Sequence, residues 1–142
     1  MNRITVTLFT IMTLVSFLCK GQDVGTLSFQ ISNLKSSNGA AIINLFRAQD
    51  DVPKKPFKTL SSPIKDGTAS ITFIDIPIGE YAAIAYHDVN ENGLLDHKLG
   101  FPNEPMGFSN NWHLSLFSGM PTFKKLKFKF DTDHTVIKIN ID

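Results

Sequence analysis

The densest chemistry in this 142-residue chain lies in Asp88-Val89-Asn90-Glu91-Asn92-Gly93-Leu94-Leu95-Asp96. Oxygen-bearing side chains occupy positions 1, 3, 5 and 9 of this nonamer, with Gly at 6 and an apolar residue at 8. That is the front half of a calcium loop of the EF-hand type. A hard cation takes six to eight oxygens at about 2.3–2.6 Å. Alternate residues of a tight loop converge such oxygens on one point. Asp88, Asn90, Asn92 and Asp96 are therefore the expected side-chain ligands, and Leu94 offers its carbonyl once Gly93 reverses the chain. Leu95 is expected to anchor the loop in the core. Position 12 is Leu99, so the usual bidentate Glu is missing, and Glu104 is the candidate to replace it from outside the nonamer. A weak site is expected, with a Kd of roughly 10⁻⁴ to 10⁻³ M. The bland alternative is that Asp, Asn and Gly simply form turns.

Downstream, Phe101, Phe108 and Trp112 with Asn110 and Asn111 suggest a groove for a carbohydrate or peptide. The alternative role for these rings is to staple a long loop onto the domain. His87, Asp88 and His113 are the residues from which a small hydrolase would be built. However, no HExxH, GxSxG, phosphate-loop or GxGxxG pattern occurs. Adjacent strand residues such as His87 and Asp88 also face opposite ways. No catalytic residue is assigned, and the expected protein is non-enzymatic.

These residues need a scaffold, and the rest of the chain reads as short strands. Leu27, Phe29 and Ile31 alternate with polar neighbours, as do Ala69, Ile71 and Phe73, and Ile137, Ile139 and Ile141. Residues 124–130 alternate Lys with Leu126, Phe128 and Phe130, which predicts a strand with one solvated, lysine-rich face. Residues 40–47 are a dense apolar run. Residues 81–86 are nearly all apolar and predict a central strand covered on both faces. Asn38-Gly39, Asp66-Gly67, Pro77-Ile78-Gly79 and Asn92-Gly93 supply the turns. Six strands, with a seventh near Leu60 or Trp112, predict an all-β domain: one antiparallel two-sheet sandwich, immunoglobulin-like or transthyretin-like. One long ordered loop, 88–111, belongs to a polar segment running from His87 to Phe123.

The first 21 residues read as a signal peptide, with Asn2-Arg3 followed by an apolar run from Ile4 to Leu18. Leu18 and Phe17 before Cys19 make a poor lipobox, so a lipid anchor at Cys19 is not expected. Residues 22–142 then form one domain without cysteine and without a membrane span. Removing Arg3 and Lys20 leaves 12 basic against 13 acidic residues. Such a balance gives no field for nucleic acid. The expected place is periplasmic or extracellular, and the expected partner is a protein or glycan at the cell envelope.

The chain also resembles an exported bacterial family, domain-of-unknown-function family 2141. The resemblance rests on residues 76–82, on Tyr86 through Asp96, on Gly100 through Asn111, and on Gly119-Met120-Pro121-Thr122-Phe123. Val89 stands where an acidic residue is more usual. The resemblance implies a signal-bearing single sandwich and brings no established activity.

Overall fold

The computed structural model describes residues 21–99, 101–115 and 117–142. The apolar leader and Cys19 lie outside the described residues. Two sheets face each other. The first holds β10 (Val136–Asn140), β1 (Val24–Ser32) and β4 (Ala69–Pro77), in that order. The second runs β3 (Lys58–Pro63), β2 (Ala40–Phe46), β5 (Gly79–Asp88) and β8 (Met106–Phe108). Strand β9 (Phe128–Phe130) pairs with the start of β5, so β8 and β9 share that strand's second edge. The predicted sandwich is present. All pairings of these two sheets are antiparallel except β1 with β10, which is parallel. The segment read as a loop also carries strands, including a short hairpin of β6 (His97–Lys98) and β7 (Phe101–Pro102). These two- and three-residue pieces raise the strand number above seven. They are too short for a period-two pattern to register in sequence.

The apolar alternation does what period two requires. Leu27, Phe29, Ile31, Ala69, Ile71, Phe73, Ile139 and Ile141 are buried between the sheets. Strand β5 is buried from Tyr81 to Asp88. Its Tyr81, Ala83 and Ala85 join the core between the sheets. Its Ala82, Ile84 and Tyr86 join a second core with Ile42, Phe46, Met106, Phe108 and Leu126. The second core exists because residues 89–127 return over the outer face of the second sheet. The protein therefore has a third layer, made of the segment that carries the candidate site.

The lysine-rich segment corrects one expectation. Residues 124–130 do not form one strand. Phe123–Leu126 is a helical turn, α1, closed by bonds from the Lys125 and Leu126 N–H groups to the Thr122 carbonyl. Only Phe128–Phe130 is extended. The switch sends Leu126 into the outer core and Phe130 into the inner one. A straight strand would have placed both on one side. The lysines do not form a uniform charged face either. Lys127 pairs with Glu80 and Lys129 with Asp131, while Lys125 caps the Ser118 and Met120 carbonyls.

Gly107 shows how tightly β8 meets the C-terminal strand. A Cβ there would lie 2.2 Å from the Asn140 carbonyl oxygen and 2.6 Å from Ile139 Cγ2. Gly107→Ala is expected to lower stability by about 1–3 kcal/mol, as overpacking does. A fall in the urea midpoint with an unchanged slope would bear this out, and an unchanged midpoint would refute it.

Candidate functional site

Strand β5 delivers His87 and Asp88 to its end, and the two side chains part there. His87 donates from Nε2 to the Asn38 carbonyl at 2.7 Å, in the turn before β2. Asp88 is only 1% exposed and turns toward the outer layer. Its Oδ2 accepts the Gly93 N–H at 2.7 Å and its Oδ1 accepts the Asn92 N–H at 3.3 Å. A buried carboxylate must find donors, and the returning backbone supplies them. Gly93 has φ +73°, which the reversal requires and which glycine adopts without strain. The loop then tightens on its own side chains. Asn90 Oδ1 accepts from Asn92 N–H and Asn92 Oδ1 from Leu94 N–H. The amide nitrogens of Asn90 and Asn92 donate to the two Asp96 carboxylate oxygens at 2.7 and 3.0 Å.

Glu104 completes the group. It is 8% exposed, and it accepts the Val89 N–H at 3.2 Å and the Asp96 N–H at 3.4 Å. It thus clamps both ends of the nonamer. Burial pushes its carboxyl above the usual range; the two backbone donors pull it down, and the Asp88 and Asp96 charges push it up again. All five predicted side chains are thereby joined in one hydrogen-bonded cluster. Leu94 keeps its side chain in solvent, and Leu95 packs against the outer core as an anchor.

The donor chemistry suits a hard cation, with one condition. Among the described residues no three His, Cys, Asp or Glu side chains form a metal-holding group by themselves. The set needs the Asn90 and Asn92 amide oxygens and the Leu94 carbonyl. Both amides present nitrogen to Asp96, and their oxygens already accept the Asn92 and Leu94 N–H groups, so offering oxygen to a cation would give up those bonds. The same cluster serves as a self-sufficient turn when the nitrogens face inward.

The other candidates are spread out. Phe108 is 5% exposed and meets Trp112 edge to face at 4.7 Å between ring centroids. Trp112 is half-buried, and both rings pack in the outer core. They staple the third layer to the sheet. The side chain of Phe101 lies outside the described residues. Asn110 and Asn111 have φ of +59° and +51°, a backbone region that asparagine tolerates, and Asn110 Nδ2 donates to the Lys125 carbonyl. Their identity follows from the turn. His113 is exposed and bonded to Asp142. His87, Asp88 and His113 thus each engage a different partner, and no hydrogen bond links them.

Ser109 went unnoticed in the sequence, and nothing there marks it. It is wholly buried. Its hydroxyl accepts the Ala83 N–H at 2.9 Å and donates to the Leu126 carbonyl at 2.6 Å. One side chain thus ties β5 to α1 beneath the third layer.

The class of protein is therefore a two-sheet β-sandwich overlaid by an acidic, asparagine-rich loop. A family model described as "Uncharacterized protein conserved in bacteria (DUF2141)" matches residues 29–138, and the chain belongs to that family. No curated protein matches the chain, and neither does any solved structure.

Two outcomes follow from this geometry. Ser109→Ala leaves a buried N–H and a buried carbonyl without their partner, and is expected to cost about 1–3 kcal/mol in a denaturant melt. An effect below a few tenths of a kcal/mol would contradict the clip. Tyr86 gives the second. Burial pushes its phenol up to about 12, with Asp88 and then Glu104 adding to the shift, from an ordinary value of 10.0. Its raised value stabilises the fold below pH 10, and that contribution is lost as pH rises toward 12. Tyr86→Phe should therefore flatten the alkaline fall in melting temperature by about one proton's slope. Parallel profiles for parent and variant would count against this.

Proposed function

We propose that this is an exported, non-enzymatic sandwich module whose 88–111 loop takes a calcium-type ion and presents a binding surface at the cell envelope. The supporting observation is the gathering of Asp88, Asp96 and Glu104 around one loop. Glu104 feels both neighbouring charges. Among the described residues no Lys, Arg or His forms an ion pair with any of the three. Like charges held together at a partly buried point raise the free energy of the fold. A divalent cation bound by one or two of these carboxylates, with amide and carbonyl oxygens making up the rest of its shell, would offset that repulsion.

The ion's role is structural. It would lock the loop that forms the third layer, and with it the surface on that layer. Carboxylates that share a cation are held ionised, so they suit ligation better than proton transfer.

A thermal melt across a calcium titration tests this. Ion binding to the folded state alone adds about 1.4 kcal/mol at tenfold excess over Kd. For a domain of this size that is a rise of a few degrees in Tm. Millimolar calcium should produce it, and Asp96→Asn should remove most of it. No shift at 10 mM calcium refutes the ion. A full shift in Asp96→Asn refutes the ligand set.

A further inference from the structure

We propose that strand β3 is an interface between two copies of this chain, paired edge to edge across a two-fold axis at Leu60. The surface lies outside the 88–111 loop and does not depend on the ion.

The observation is a strand that buries nothing. Strand β3 ends the second sheet, and among the described residues β2 is its only ladder partner. No residue from Lys58 to Pro63 is buried, whereas every other strand of the two sheets places at least one side chain in a core. Leu60 is 41% exposed, although it stands opposite Ile43, a wholly buried member of the inner core. A groove of about 420 Å³ opens beside it between β3 and β4, and Ile74, 65% exposed, lines the β4 side. A strand held by one ladder and no burial is weakly anchored, and its apolar side chain lacks cover.

The hydrogen-bond pattern points to what covers it. The Phe57 N–H donates to the Leu45 carbonyl, so Leu45 turns its backbone groups toward β3. Residues alternate in this respect along an antiparallel ladder. Ala41, Ile43 and Leu45 therefore bond to Ser62, Leu60 and Lys58 opposite them. Thr59 and Ser61 turn their N–H and carbonyl groups outward. Lysine and proline commonly guard a free edge, but here they stand only at the two ends, as Lys58 and Pro63.

The free groups are symmetric about Leu60. A two-fold axis there sets Thr59 opposite Ser61 of the second copy, and Ser61 opposite its Thr59, each pair exchanging both N–H···O bonds. It also sets Leu60 against Leu60, in the kind of pair where side chains come closest. Lys58 meets Ser62, so no like charges face each other. A second copy thus supplies both the backbone partners and the apolar cover. Strand β4 has a free edge too, but its Ala69, Ile71, Phe73 and Ile76 are already buried, so it is anchored without a partner. One strand pair makes a small interface, below about 1,200 Å². A weak dimer is expected, with a Kd of roughly 10⁻⁵ to 10⁻⁴ M.

Sedimentation equilibrium of the full chain, from about tenfold below to tenfold above that Kd, is the test. A monomer–dimer equilibrium is expected. Ser61→Pro removes an outward N–H and leaves the ladder to β2 intact. Leu60→Lys sets two charges face to face. Each should weaken association about tenfold or more, with melts of the dilute variants matching the parent. In a Cys19→Ser background, Leu60→Cys should give a disulfide-linked dimer on mild oxidation. A monomer throughout overturns the proposal, as does association unchanged in both variants. Failure of the cross-link overturns the two-fold register. Association lost in Leu60→Lys but kept in Ser61→Pro overturns the strand pairing. Association removed by Thr72→Pro, on the β4 edge, but kept in both β3 variants assigns the interface to β4 and also overturns the proposal.

Discussion

From Tyr81 onward strand β5 has no solvent face, and the rest of the architecture follows from that. A strand in a simple sandwich buries alternate residues and wets the others. Here the segment from Tyr81 to Asp88 is buried throughout. One side is met by the opposing sheet. The other side needs a cover, and among the described residues the 89–127 segment supplies most of it, with Val52 also packed against that core. That segment has too little regular structure to stand alone. It holds because Met106, Phe108 and Leu126 insert into the outer core, and because Ser109 bridges β5 and α1. Covering the strand and building the site are therefore one structural act.

Asp88 stands where the strand ends and the cover begins. Its burial is tolerated because the loop curls back to donate two N–H groups to it. The same curl brings Asp96 and Glu104 close, and Glu104 in turn holds both ends of the nonamer. Acidic groups are thus collected by backbone hydrogen bonding rather than by pairing with basic side chains. Such an arrangement leaves negative charge that amide dipoles only partly offset. The loop can balance it with the Asn90 and Asn92 amide nitrogens or, in the proposed function, with a cation.

The cover layer also explains the apolar surface beside the loop. A sheet face covered by an irregular segment is sealed less evenly than one covered by a second sheet. Side chains such as Leu114 and Met120 stay at the rim while Met106 and Phe108 reach the floor. A cleft of this kind arises where short strands and turns replace a regular layer.

Much of the inner fold was legible because period-two burial writes itself into sequence. Leu27, Phe29 and Ile31, and Ala69, Ile71 and Phe73, fall inward as their alternation requires. The unbroken apolar run of β5 correctly announced cover on both faces. The nonamer's turn residues were legible as a loop, though the structure joins them by hydrogen bonds, with the Asn90 and Asn92 amide nitrogens on Asp96. Three things escaped. The strand of residues 124–130 broke into a turn and a strand, because Leu126 and Phe130 serve different cores, and alternation cannot tell which core a residue enters. Ser109 left no trace, because a lone serine acquires meaning only from the backbone groups packed against it. The roles of Phe108, Trp112, Asn110 and Asn111 were open, since aromatic rings and asparagines have the same composition whether they bind a ligand or close a turn. Local periodicity and turn chemistry thus determined the strands and the acidic loop from sequence alone. Only tertiary structure decided which faces meet, because that depends on contacts between residues far apart in the chain.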